Sequence, residues 1–163
     1  MGDKTSQKQQ KARSLLVATA DIRAAENACQ LLLERIKGKD DPLHIPLLTA
    51  IIISYSRPFR KNKGYMALEG KLGQFENREF QEIHDAILEM RDKVIAHSDS
   101  DVRMVEFETK DTPIGRRISE IRVVSQSLPM DIFPKLLETC RDLGNRLELE
   151  ALEEMDCLLD HEN

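Results

Sequence analysis

The chain has 163 residues, of which 40% are hydrophobic and 33% charged, and its formal net charge is -5. This length suits one domain that buries a core without disulfide or metal cross-links. The net negative charge excludes a protein that coats nucleic acid through bulk positive charge, but it leaves room for a local basic site. Aromatic residues make up only 4% and Trp is missing, which favours helices over a β-sandwich or barrel.

The sequence contains no pattern of a metal, cofactor or membrane site. Cys29, Cys140 and Cys157 form no closely spaced pair, so we expect reduced thiols. His44 and His161 have no partner pattern for a metal, and neither a phosphate-binding glycine motif nor a nucleophile elbow occurs. No stretch has the roughly 20 apolar residues of a membrane span, and the start lacks a signal-peptide run. We therefore expect no cofactor, no membrane contact and a cytoplasmic location.

The first predicted helix spans residues 14–37, after a flexible tail over residues 1–12. Apolar or small residues recur there at steps of three and four, as one stripe of a helix does: Leu15, Ala18, Ile22, Ala25, Cys29, Leu32 and Ile36. A second helix opens at Asp41-Pro42 or at Pro46 and runs to Tyr55. Its three consecutive isoleucines, residues 51–53, predict deep burial.

Residues 56–73 interrupt the helical pattern with one proline and three glycines, and predict a loop. The loop carries a dense basic cluster: Arg57, Arg60, Lys61 and Lys63. A solvated loop is the ordinary interpretation of such a cluster. The alternative is that these cations hold an RNA backbone. Phe59 and Tyr65 would then either stack on a base or pack into the core.

A third helix is predicted over residues 78–96, followed by a polar turn. Residues 102–109 and 117–124 are rich in β-branched residues and predict two strands of a hairpin, and a last helix starts between residues 127 and 131. The fold class is therefore mainly α: an antiparallel four-helix-type bundle over residues 1–163, with a small β-hairpin insertion before the last helix.

The segment from Arg91 to His97 ends the third predicted helix. An Arg, an acidic residue directly after it and a His after five intervening positions resemble the signature of the HEPN superfamily of ribonucleases. The wider pattern, His84 with Ala96-His97-Ser98-Asp99 and the loop string Ser56-Arg57-Pro58-Phe59, is similar to an abortive-infection-related branch. The resemblance covers residues 45–100 at motif level.

This resemblance implies a metal-independent endoribonuclease that produces a cyclic phosphate. Such cleavage needs a group with a pKa near neutral to deprotonate the 2′-hydroxyl and a fixed cation beside the phosphate, and His97 and Arg91 are residues of those types. Asp92 would orient the imidazole or bind the guanidinium. At about 100° per residue, Arg91 and His97 lie roughly 120° apart on an ideal helix, whereas His84 and Arg91 share a face. In the family two copies of this helix face each other, so the resemblance implies a composite site in a homodimer.

Each candidate residue also has a plain structural interpretation. A His in a last helical turn is favoured by the helix dipole, and an Arg beside an Asp is usually a surface ion pair. His84 is either a wall of the site or a packed, hydrogen-bonded core residue.

Three functions therefore stay open. The first is a ribonuclease of a bacterial defence or toxin system. The second is a non-catalytic HEPN-like module that binds a nucleotide, an RNA or a protein such as an antitoxin, and the third is a helical adaptor.

Overall fold

The computed structural model describes residues 2–60, 65–68, 70–92, 103–112, 115–125 and 128–159. For residues 2–5, 71, 103–112, 115–125 and 159 it describes the backbone alone. These residues contain four long helices: α1 (Gly2–Arg35), α2 (His44–Ser56), α3 (Arg78–Arg91) and α4 (Ile132–Leu159). Short 3-10 turns occupy Arg57–Phe59 and Gly70–Gly73. The prediction of a mainly helical chain is confirmed.

Helix α1 begins at Gly2, well before the start predicted near residue 14, and it includes most of the stretch predicted as a tail. Ala12 and Ser14 are buried, and Lys11 Nζ lies 2.9 Å from Glu150 Oε1 of α4. Residues 2–11 contain no large apolar side chain. Hydrophobic periodicity therefore could not reveal this part of the helix, which is tied to α4 by charge.

The core is built on the apolar stripe of α1, which packs antiparallel to α4. Lys11 contacts the C-terminal half of α4, whereas Cys29 Sγ donates to the carbonyl of Phe133, near the start of α4, at 3.3 Å. Every member of the predicted stripe is buried, as are Ile51 and Ile52 of α2. Burying these side chains supplies the main stabilisation of the fold.

Helix α3 packs between α2 and α4 and determines where the motif lies. Its start is capped by Asn77, whose side-chain oxygen accepts a hydrogen bond from the Glu79 amide at 2.9 Å, a usual stabilising device at helix N-termini. Lys135 Nζ of α4 lies 3.1 Å from Glu79 Oε2. At the other end Arg91 occupies the last turn.

Two strands precede α4. β1 (Arg103–Thr112) and β2 (Gly115–Ser125) pair antiparallel, from Arg103 opposite Ser125 to Thr112 opposite Gly115. The register shifts once, between Glu108 and Thr109. Residues 113–114 lie outside the described residues, so the predicted hairpin connection stays a prediction.

Candidate nucleic-acid interface

The described part of the motif lies where α3 ends. Arg91 belongs to the last turn of α3, and the backbone amide of Asp92 donates to the carbonyls of Leu88 and Glu89. The side chains of Arg91 and Asp92 are 33% and 44% exposed. His97 lies outside the described residues, so its place relative to Arg91 stays a prediction.

Asp92 binds two arginines at once. Arg91 Nη1 donates to Asp92 Oδ1 at 2.9 Å, and Arg60 Nη2 donates to Asp92 Oδ2. The hydrogen bond from Arg91, and then that from Arg60, hold the pKa of Asp92 below its ordinary value. The carboxylate therefore stays ionised at neutral pH and joins the motif helix to the basic loop. We call these three side chains the arginine cluster.

The two described cations of the basic loop lie on the turn that follows α2. The Arg60 amide donates to the Arg57 carbonyl at 3.2 Å, which closes this turn. Arg57 Nη1 donates to Asp21 Oδ1 of α1 at 2.5 Å, whereas Arg60 reaches Asp92. Arg60 Nε is buried and has no hydrogen-bond partner among the described residues. Lys61 and Lys63 lie outside the described residues, and their predicted role in binding stays a prediction.

A cleft of about 400 Å³ separates α1 from this loop. We call it the α1 cleft; α1 contributes Ser14, Val17 and Asp21, and the loop contributes Arg57, Tyr65 and Met66. Arg60 also lines it, so the cleft and the arginine cluster share a residue. Its size falls within the range of small-ligand sites.

The walls of the α1 cleft combine two kinds of surface. Tyr65 and Met66 are 47% and 52% exposed and offer an aromatic and an apolar face. Ser14 Oγ accepts a hydrogen bond from the Met66 amide at 3.0 Å, which fixes the loop against α1. Guanidinium groups beside an exposed aromatic ring can bind a phosphate together with an unstacked base.

His84 lies in an aromatic cluster between α2 and α3. It is 4% exposed, its Nδ1 lies 3.1 Å from Tyr55 Oη, and the ring centroids of His84 and Phe59 are 4.6 Å apart. Burial lowers the pKa of His84 and raises that of Tyr55, so both side chains are neutral at pH 7. This environment fits a packed, hydrogen-bonded core residue, and the role of site wall stays a prediction.

Sequence reasoning missed the contribution of α1 to the cleft. The Asp21 side chain is only 12% exposed and pairs with Arg57. In the sequence it comes directly before Ile22 of the core stripe. A carboxylate bordering an apolar stripe indicates an ion pair at the edge of the core, but the stripe itself does not identify the partner. Val17 and Ser14 carry no comparable signal.

In the described part of the chain, neither metal-binding groups nor membrane-spanning helices suggest a further function, and similarity to known proteins suggests none. Among the described residues no group of three or more His, Cys, Asp or Glu side chains is placed to hold a metal. None of the helices in the described ranges has an apolar stretch long enough to cross a bilayer. Comparison of the chain with family models, curated proteins and solved structures yields no match.

Proposed function

We propose that this protein is a metal-independent, HEPN-like endoribonuclease that acts as a homodimer, with Arg91, His97 and Asp92 in its active site. The observation that supports the proposal is the contact of Asp92 with both Arg60 and Arg91. It brings together the motif helix and the basic loop, which are 32 positions apart in sequence. The proposed fold is an antiparallel four-helix-type bundle in which β1 and β2 form one hairpin before α4.

The proposed chemistry assigns a separate task to each residue. His97 takes the proton of the 2′-hydroxyl, whose oxygen attacks the adjacent phosphorus. The bond to the 5′-oxygen breaks, that oxygen takes up a proton, and a cyclic phosphate remains. Arg91 stabilises the negative charge that gathers on the phosphate oxygens.

Asp92 serves as the positioning residue. Without a carboxylate between them, the guanidinium groups of Arg60 and Arg91 would repel each other. With it, Arg91 is held on the same carboxylate as Arg60, which lines the α1 cleft, and RNA phosphates would meet both guanidinium groups there. Arg57, Lys61 and Lys63 would continue this contact along the RNA backbone.

A second function has support that does not depend on His97. The α1 cleft combines arginines with an exposed tyrosine, and these residues suffice for binding a nucleotide or a single-stranded RNA without cleavage. A non-catalytic HEPN-like module is therefore the alternative proposal. The adaptor hypothesis has no comparable support from this cleft.

Cleavage of total RNA tests the catalytic proposal. His97→Ala and Arg91→Ala should each slow cleavage by about 100-fold to 10,000-fold, in EDTA as in magnesium. Arg78→Ala is the matched control, since Arg78 lies at the other end of α3 with a 91% exposed side chain. Wild-type protein that does not cleave, or a His97→Ala variant that cleaves at the wild-type rate, would leave only the binding proposal.

Light scattering tests the proposed assembly. A dimer at tens of micromolar is expected, and its dissociation should abolish cleavage, because the composite site needs both copies. A monomer that cleaves at the full rate would contradict the composite site and place the active-site residues within one chain.

A further inference from the structure

A second cavity lies between α4 and the residues that lead into α3. Its volume is about 900 Å³. Leu72, Phe75 and Phe80 form an apolar side, and α4 contributes Leu149, which is 63% exposed. We call it the acidic groove.

The charge of the groove is opposite to that of the α1 cleft. Four carboxylates, those of Glu76, Asp142, Glu150 and Glu153, line it against one guanidinium. Asp142 lies 3.6 Å from that guanidinium, and Glu150 pairs with Lys11. Glu76 and Glu153 have no ion-pair partner among the described side chains, so the described lining of the groove carries an excess of negative charge.

The aromatic rings of the groove already bind cations from the chain itself. Phe75 and Phe80 pack edge to face, with ring centroids 6.2 Å apart. The guanidinium of Arg146 lies 5.1 Å from the centroid of Phe75, and Lys135 Nζ lies 5.8 Å from that of Phe80. The apolar surface and the excess of carboxylates together match a ligand that carries both apolar and cationic groups.

The length of the groove matches a short helix. The α4 residues that line it run from Asp142 to Glu153, which corresponds to a rise of about 16 Å. About three turns of a docked helix fit along this distance, with apolar anchors on one stripe and cations on its two flanks. RNA does not fit, because the excess of carboxylates along the described lining of the groove repels phosphates.

We propose that the acidic groove binds a basic amphipathic helix of a partner protein. The proposal is independent of the ribonuclease proposal. A second copy of this chain is the weaker candidate: residues 2–13 of α1 carry three lysines and an arginine but no large apolar side chain. They would supply charge without an anchor for Leu149 and Phe80.

The test uses a synthetic helical peptide of about 14 residues with leucines at i, i+3 and i+7 and lysines on both flanks. Glu76→Lys, Glu153→Lys and Leu149→Ser should each weaken its binding to the full-length protein by about tenfold. Glu34→Lys and Leu31→Ser are matched controls on an exposed face of α1, and they should stay within about twofold of wild type. A scrambled peptide of the same composition should bind at least about tenfold more weakly.

Any of the following results would overturn the proposal. No binding of the peptide, equal binding of the scrambled peptide, or variants that match their controls would show that the groove does not recognise an amphipathic helix. Self-association that Glu153→Lys removes would assign the groove to a second copy. The substituted side chains are exposed; should Leu149→Ser unfold, the two charge reversals decide.

Discussion

Replacing Tyr55 by Phe isolates one buried hydrogen bond between α2 and α3. Tyr55 is fully buried, and its hydroxyl lies 3.1 Å from Nδ1 of His84, which is 4% exposed. Burial keeps both side chains neutral, so this contact is a hydrogen bond between two uncharged groups. The substitution removes one oxygen and leaves Nδ1 buried without this partner.

The expected loss of stability follows from that burial. A buried polar atom that loses its hydrogen-bond partner costs about 1 to 3 kcal/mol, and in a chain of this length each kcal/mol lowers Tm by about 2 to 4 °C. Tyr55→Phe should therefore lower Tm by roughly 2 to 12 °C. Tyr65→Phe is the matched control, because Tyr65 is 47% exposed, and it should change the free energy of unfolding by less than about 0.5 kcal/mol.

Urea unfolding followed by circular dichroism measures both variants. The slope m should stay at its wild-type value, so that the shift in midpoint reports stability alone. Equal stability of Tyr55→Phe and Tyr65→Phe would refute the argument that this hydrogen bond fixes α3 against α2.

Three further predictions concern charge, helix propensity and pH. Asp92→Asn should release its two guanidinium partners, steepen the salt dependence of RNA binding and slow cleavage; an unchanged salt slope would contradict this. Gly144→Ala should change the free energy of unfolding by less than about 0.5 kcal/mol, since the gain in helix propensity is offset when the Arg23 side chain moves away from its half-buried ion pairs with Glu26 and Glu148; a loss above about 1 kcal/mol would contradict this. Burial lowers the pKa of His84 and His44 in the folded state. The free energy of unfolding should therefore be highest above the ordinary histidine pKa of 6.5 and should decrease as the pH falls below it. Equal free energies of unfolding at pH 7 and pH 5 would contradict this.

Helical periodicity predicted the parts of the fold that depend on apolar side chains. The stripe of α1 and the first two of the three consecutive isoleucines of α2, Ile51 and Ile52, are buried as expected, because the apolar residues of an amphipathic helix lie on the face that packs against the core. Ile53 is only partly buried, because three consecutive residues do not share one face of a helix. The start of α1 escaped prediction because its contact with α4 is made by Lys11. A polar sequence such as that of residues 2–11 is as typical of a disordered tail as of a solvent-exposed helix.

The candidate site could be predicted in its composition but not in its contacts. The motif and the basic loop indicated Arg91, Asp92 and Arg60 separately. Their meeting at the Asp92 carboxylate depends on how α2 and α3 pack, and no local pattern encodes that packing. Asp21 and the acidic groove were missed for the same reason.

The salt dependence of RNA binding by arginine variants tests the central claim, that RNA binds at the arginine cluster, most directly. Arg60→Ala and Arg91→Ala are compared with Arg78→Ala, whose side chain is 91% exposed on the same helix as Arg91, using single-stranded RNA between low and physiological salt. Each cluster variant should reduce the slope of log K against log salt by about 0.7, the value for one lost phosphate contact, while Arg78→Ala keeps the wild-type slope. Equal slopes for all three variants would contradict the assignment of the RNA site to this cluster.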